Sequence, residues 1–278
     1  MTSMMNVHIS AVCPDDLGEL GAVPEGVLCR RCNRLFPVVD GIPELLPREA
    51  WQESSAESIR MNAYQAGFSA RTERAWRRSL AVFLNKLGNG YLYNWAARML
   101  EESSKGHSQT VLDAACGDGS LRRYLADRHG YTGVDFSMRL LARAKRYRPG
   151  QYFRADLNHL PFPNATFDTV VSLQALQYLE HPETALAQVA RVLKPDGRLV
   201  LTVPNNESFK YRFQGIPKIQ LQTFERKTLP ALLTHSFEIL EARAQGLWLP
   251  IPMISAHIPG AYPARWGLSW TIVATPRK

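Results

Sequence analysis

Three short apolar runs, each ending in an aspartate, constrain this chain more than any other feature of it. Thr110-Val111-Leu112-Asp113 is the length of a buried strand, and it leads into Ala114-Ala115-Cys116-Gly117-Asp118-Gly119 and a stretch of helical periodicity from Ser120 to Ala126. Gly133-Val134-Asp135-Phe136 ends in a second acid 22 positions after Asp113, and Tyr152-Phe153-Arg154-Ala155-Asp156 ends in a third. A strand, glycine turn and helix is the unit of a parallel α/β sheet, whose ligands sit beyond the carboxyl ends of the strands. Gly117 and Gly119 let the backbone approach a ligand closely, and the unpaired N–H groups at the start of the next helix face the same place. A dinucleotide fingerprint would need a third glycine where Arg122 stands. Asp113 would sit badly against a pyrophosphate and well against an ammonium. Asp135 is spaced to accept hydrogen bonds from two ribose hydroxyls, and Asp156 suits an exocyclic adenine amine. Singly, each acid is a cap or turn residue. Together they describe a nucleoside that carries an amino acid.

The 278 residues, 45% hydrophobic and 21% charged, suffice for one large domain and a small appendage, and exclude a disordered, collagenous or disulfide-built chain. The most apolar region, Gly246 to Ala264, is broken by Pro250, Pro252, Pro259 and Pro263, so no membrane span is expected. Nor does the N-terminus read as a secretory signal, which gives a cytoplasmic location as the expectation. Residues 1–50 hold 7 acids and 4 bases, a net of −3 against +8 for the chain, so the remainder carries +11. Pro43, Pro47 and the polar stretch from Arg48 to Ser58 place a boundary near residue 50. Apolar residues then recur at helical spacing from Ser58 to Leu100, predicting two or three helices, with Arg71, Arg74, Arg77 and Arg78 on a basic face. A solvated face is the plainer reading of those arginines, and nucleic acid the disfavoured partner.

The acidic head carries Cys29-Arg30-Arg31-Cys32, a turn of the kind that presents two thiolates to one metal. Cys13 offers a third ligand. The residue three further on is Asp16, not a cysteine; Asp16 or His8 could complete the shell, or the knuckle could stand without metal. Residues 29 to 47, above all Phe36-Pro37 and Asp40-Gly41-Ile42-Pro43, resemble the small zinc-ribbon proteins that act as activating partners of tRNA and protein methyltransferases. That resemblance implies a small β module and association with a methyltransferase more firmly than a metal, for which Cys13, Asp16, Cys29 and Cys32 are the candidate ligands.

The three acids, together with Leu160-Pro161-Phe162, Phe167-Asp168-Thr169-Val170-Val171-Ser172, His181-Pro182-Glu183 and Arg191 to Leu199, resemble the class I S-adenosylmethionine-dependent methyltransferases, in the branch of the ubiquinone and menaquinone enzymes. The resemblance spans roughly residues 108 to 205. It implies a Rossmann-like, seven-stranded, mostly parallel sheet with helices on both faces, closed by Phe237 to Ala242 and Leu268 to Ala274. The chain then divides into a zinc-ribbon-like module (1–50), a helical linker and cover (51–105) and a methyltransferase domain (106–278). By this resemblance Asp113 lies near the methionine ammonium. Ala115, Cys116, Gly117 and Gly119 run under the methionyl and ribose parts, Asp135 and Phe136 lie at the ribose, and Asp156 and Leu157 at the adenine. Ala115 stands where the family usually has its first glycine; one methyl group is expected to be tolerated.

Leu173 opens the loop expected beside the methyl group, where Gln174, Gln177 and Tyr178 follow and relatives often carry histidines. His181 is the nearest imidazole in sequence and a candidate base, although a histidine just before Pro182 also reads as a plain helix start. Acceptor choice is expected to lie in the segment around Tyr64 to Trp76 and the stretch from Phe209 to Trp266, with the aromatic residues and prolines between Trp248 and Trp266 as a cover over the acceptor. The activity expected is methylation of an oxygen, nitrogen or carbon of a small-molecule metabolite. RNA methylation and a non-catalytic cofactor-binding scaffold are the alternatives; oligomeric state is not legible.

Overall fold

A computed structural model describes residues 10–48, 80–217, 220–247 and 258–277. The head begins with an antiparallel sheet of three strands, β1 (Leu20–Val23), β2 (Gly26–Cys29) and β3 (Leu35–Phe36). A hairpin of β4 (Val38–Val39) and β5 (Ile42–Leu45) follows. Helix α1 (Leu80–Ser104) leads to β6 (Thr110–Ala114), β7 (Gly130–Asp135), helix α2 (Met138–Tyr147) and β8 (Gln151–Ala155). Next come β9 (Phe167–Leu173), helix α3 (Pro182–Val192), β10 (Leu193–Pro204) and two short helices, α4 (Phe209–Gln214) and α5 (Leu229–Thr234). The chain closes with β11 (Phe237–Leu247), β12 (Ile258–Ala261) and β13 (Gly267–Pro276).

The large sheet runs β12-β11-β13-β10-β9-β6-β7-β8-β5-β4. From β10 to β5 it is parallel, and β13, β11, β12 and β4 add antiparallel edges. The seven expected strands are all present, β11 and β13 where the sequence places them. The sheet has ten strands among the described residues, because β12 joins one edge and the head joins the other. Strand β5 pairs in parallel with β8, setting Glu44 opposite Arg154 and Leu45 opposite Ala155. Without it β8 would be a bare edge, and burying Ile42, Leu45 and Leu46 supplies the driving force. Pro43, legible only as punctuation, sits inside β5 opposite Val38.

Strand alternation divides the core between two faces. Val111 and Tyr152 pack with Trp95, Ala96 and Leu100 of α1 and Leu141 and Ala144 of α2. Their neighbours Leu112 and Phe153 face the other way, into the layer of Ala185, Leu186 and Val189 of α3, which Cys13, Cys29, Phe36 and Leu45 of the head also join. Where two or three helices were expected from 58 to 100, the described part holds one, α1. Arg71, Arg74, Arg77, Arg78, the Tyr64 to Trp76 segment, Trp248 and His8 lie outside the described residues.

Strand order reverses at β6, which has β7 on one side and β9 on the other, so a crevice opens beyond the carboxyl ends of β6 and β9. Asp168 pins the opposite ends of the same strands. Its Oδ2 accepts from the Thr110 amide at 2.8 Å and the Thr110 hydroxyl at 2.7 Å, and its Oδ1 from Lys194 Nζ at 2.7 Å. Burial raises this carboxyl, but the bonds from Lys194 and Thr110 outweigh it and hold the group below its ordinary range. Asp168→Ala is expected to lower stability by about 2 to 3 kcal/mol in urea unfolding. Because the folded group ionises more readily than the unfolded one, its contribution is complete above about pH 4 and is lost as pH falls through the folded value. The stability gap between the wild type and Asp168→Asn should therefore narrow below that pH.

Candidate functional site

At the top of β6 the chain turns through residues whose backbones are mostly left-handed. Ala115 has φ 68°, Gly117 φ 55° and Gly119 φ 68°. A Cβ on Gly119 would lie 3.0 Å from the Tyr152 hydroxyl and 3.2 Å from the Ala144 methyl, so this position needs glycine for space as well as for φ. The segment after it is a 3-10 turn, Ser120–Tyr124, rather than the α-helix its periodicity predicts; Leu125 beyond it is already extended. Cys116 is buried, with its amide on the Val134 carbonyl at 2.9 Å, and burial raises its thiol far above the ordinary range.

Asp113 is the next-to-last residue of β6, Asp135 ends β7 and Asp156 directly follows β8, three neighbours in the sheet. Asp135 accepts from the Gly117 amide at 2.8 Å through Oδ2 and from the Ser137 amide at 2.9 Å through Oδ1, which leaves lone pairs on both oxygens. Asp113 is 3% exposed and accepts from the Tyr131 hydroxyl at 2.6 Å. Burial pushes its carboxyl up to about 7; the Tyr131 bond opposes this, and Asp135 and Asp118 add to it. Asp156 caps the turn Leu157–His159 by accepting from the Asn158 amide at 2.9 Å.

The residues around these acids were not legible as site residues. Tyr93 of α1 stacks on Tyr124 with centroids 5.6 Å apart, and the burial that raises its hydroxyl's pKa is reinforced by Asp113 and Asp118 nearby. Arg154 donates to the Phe136 carbonyl at 2.9 Å, lies over the Phe136 ring at 5.3 Å, and pairs at 3.2 Å with buried Glu44 of the head. An aromatic at the right turn of α1 was the available signal for Tyr93. Nothing local marks Glu44, because its partner is 110 residues away.

On the far side of the crevice, Leu173 ends β9 and Gln174 turns with φ 56°. Gln174 Nε2 reaches the Thr202 and Ser269 hydroxyls, each at 3.3 Å. Gln177 is 2% exposed; its Nε2 donates to the Gln174 carbonyl at 2.8 Å, while its buried Oε1 has no hydrogen-bond partner among the described residues. Tyr178 next to it is half-buried. His181 is apart from this group. Its side chain is 70% exposed, with Nδ1 3.3 Å from Glu183 Oε1 at the start of α3.

In the head, the ligand atoms of Cys13, Asp16, Cys29 and Cys32 all lie within 4.8 Å of one another. Cys13 Sγ and Cys32 Sγ are 3.8 Å apart, and Cys29 Sγ is 3.5 Å from Asp16 Oδ1. A tetrahedral zinc with sulfur bonds of about 2.3 Å has edges of about 3.8 Å, so the donors fit. The Arg31 and Cys32 amides, each 3.4 Å from Cys29 Sγ, would stabilise a thiolate there.

Residues 112–201 match the family described as the methyltransferase domain. A malonyl-[acyl-carrier protein] O-methyltransferase of Erwinia pyrifoliae is 28% identical over 168 residues, 60% of this chain and 60% of that protein. The ubiquinone/menaquinone biosynthesis C-methyltransferase of Stutzerimonas stutzeri is 32% identical, covering 48% and 60%. A phthiotriol/phenolphthiotriol dimycocerosates methyltransferase of Mycobacterium leprae is 26% identical, covering 70% and 82%. The chain thus spans about 60% of the length of the first two. Among solved structures, a TehB-like SAM-dependent methyltransferase from Corynebacterium glutamicum shares 18% identity with a TM-score of 0.51, over 78% of this chain and 100% of that one. A chain from the complex of the Haloferax volcanii Trm112 methyltransferase activator with a methyltransferase has the same TM-score at 20% identity, over 74% and 96%. Residues 112–201, about a third of the chain, thus resemble a methyltransferase domain and lie on a Rossmann-like, mostly parallel sheet.

Ala115, whose methyl is expected to be tolerated in cofactor binding, bears on the backbone as well, with its φ of 68°. In the left-handed region an L side chain crowds the following carbonyl, at a cost of roughly 1 to 2 kcal/mol. Ala115→Gly is therefore expected to raise stability by about 1 kcal/mol, read as a higher urea midpoint with an unchanged slope.

Proposed function

We propose that this chain binds S-adenosylmethionine across the tips of β6, β7 and β8 and directs its methyl group to a small-molecule acceptor. The observation that carries this is the placing of Asp113, Asp135 and Asp156 on three adjacent strand ends around a left-handed glycine turn. When bound, the sulfonium supplies an electrophilic methyl carbon for in-line displacement by the acceptor. Asp113 faces the ammonium, Asp135 offers its remaining lone pairs to the ribose hydroxyls, and Asp156 with Leu157 borders the adenine. Tyr93 closes over Asp113 and helps exclude water. Gln177 Oε1, buried and unpartnered among the described residues, accepts a hydrogen bond from the acceptor's O–H or N–H and aims its lone pair, with Tyr178 beside it. Exposed His181, paired with Glu183, takes no proton in this reading. The names of the relatives, which act on a quinone, a carrier-bound malonyl group and a lipid, support a small acceptor over RNA.

In the head, Cys13, Asp16, Cys29 and Cys32 would hold a structural zinc ion, tying the turn at 13–16 to the β2–β3 knuckle. The residue 50 boundary then separates a fused module from the cover and catalytic parts, with residues 51–105 and 106–278 as those parts. Elemental analysis of protein purified without added metal should find about one zinc per chain, lost in Cys29→Ser. A metal-free wild type would leave the head held by its apolar contacts alone.

Calorimetry tests the cofactor assignment. Asp135→Ala should weaken S-adenosylmethionine by about ten- to a hundredfold, the loss of hydrogen bonds to a charged acceptor; unchanged affinity would refute the assignment. Asp113 adds a pH signature. An ammonium beside its carboxyl favours ionisation, so near pH 7 binding should release protons, seen as a dependence of the binding heat on the buffer's ionisation heat. Without cofactor, the folded carboxyl keeps a proton between about pH 4 and 7 that the unfolded one has lost. Stability of the empty protein should fall as pH rises through that window, and Asp113→Asn should abolish both the slope and the proton release.

A further inference from the structure

Beyond β10 the chain builds an exposed, partly aromatic surface next to the loop that carries Gln177. Asn205 is fully buried and donates to the Gly267 carbonyl at 2.8 Å, and the Phe209 amide donates to the Arg265 carbonyl at 2.9 Å. These bonds fasten α4 to the turn before β13 and bring their aromatic side chains together. The Phe209 ring meets the Trp266 ring edge-on at 4.8 Å and lies 6.4 Å from the Phe213 ring. Phe213 is 73% exposed, Trp266 40% and Ile216 44%, and Leu221 is also exposed. Single exposed apolar residues need no explanation, but a contiguous group of this size within one stretch of surface marks an interaction site.

Two observations say what occupies it. Two exposed cations interleave with the apolar residues, Arg212 beside Phe213 and Arg265 beside Trp266, whereas Lys210 is half-buried and burial lowers its pKa. Aromatic and aliphatic side chains at one level, with arginines among them, match the boundary between headgroups and acyl chains of an anionic bilayer. Stacking on nucleic-acid bases would have no use for Ile216 and Leu221. The surface also adjoins the acceptor side, since the Leu221 amide, at 2.8 Å, and the Gln222 amide, at 3.2 Å, both donate to the Gln177 carbonyl. Among the described residues no helix is long and apolar enough to cross a membrane, so the contact is peripheral.

We propose that the face formed by α4, Ile216, Leu221 and the turn at Arg265 and Trp266 seats this protein on an anionic lipid surface, beside the entrance for its acceptor. The proposal rests on the methyltransferase reading only for the side from which the acceptor enters. The experiment is flotation of the full chain with vesicles of phosphatidylglycerol and phosphatidylcholine in equal parts, and with phosphatidylcholine alone. Binding to the anionic vesicles is expected, falling with salt. The double variant Phe213→Ser, Ile216→Ser should weaken it roughly tenfold or more, and Arg212→Glu with Arg265→Glu by roughly fivefold for each cation lost. Unchanged thermal unfolding would show that both variants fold. Absence of vesicle binding, binding that ignores these substitutions, or a dimer dissolved by them in protein that does not float would each overturn the proposal. Cofactor calorimetry on the same samples keeps the two readings apart: protein that floats yet binds no S-adenosylmethionine sinks the assignment of the cleft and leaves this surface standing.

Discussion

The carboxylate of Asp135 joins the fold to the site. Through one oxygen it holds the Gly117 amide, and through the other the Ser137 amide, whose own side chain caps α2 by accepting from the Leu140 amide. One acid therefore fixes the glycine turn after β6 against the tip of β7 and starts the helix that covers Tyr131 and Tyr152. An asparagine could not replace it, because one of its two arms would be a donor facing an N–H. The left-handed turn at Ala115, Gly117 and Gly119 depends on that anchor, since a strained backbone persists only where its surroundings hold it.

The crevice is costly when empty. Asp113 is shut away from water with one hydroxyl for a partner, and two further carboxylates press on it, so near neutral pH its protonated and ionised forms are close in energy. Ala115 adds backbone strain. The strands below can bear this because their lower ends are fastened, by Asp168 to Thr110 and Lys194, and because their faces are closed on both sides. The fastening lies at one end of the sheet and the strain at the other, where the cofactor is proposed to bind.

What the sequence made legible was local. The acids at 113, 135 and 156 sit at the ends of apolar runs, and the strands at 237 and 268 announce themselves by composition. Contacts between distant segments were hidden. Pro43 reads as a break, yet it lies inside β5, which is an edge partner of β8 and so can carry a proline that a central strand could not. Glu44 and Arg154 are each ordinary surface residues in sequence, and only the parallel register of β5 on β8 sets them opposite one another. His181 attracted a catalytic reading by its nearness in sequence to the methyl-transfer loop. A 3-10 turn at Leu176–Tyr178 intervenes, and the chain emerges at the surface before α3 starts.

That displacement bears on how an acceptor would be activated. With the imidazole exposed, two amides stand on the loop after β9: Gln174, held to Thr202 and Ser269, and Gln177, held to the Gln174 carbonyl with Oε1 left over among the described residues. An amide oxygen accepts a hydrogen bond but takes no proton at neutral pH, so it can orient a hydroxyl or amine without deprotonating it. Displacement at a sulfonium carbon asks chiefly for alignment, and its proton can leave after the bond has formed. In the proposed reading, a buried glutamine braced on a left-handed turn would supply the alignment and leave the proton to solvent. An acceptor that must lose its proton before attack would find no base among these groups. The architecture favours a nucleophile with a lone pair already available.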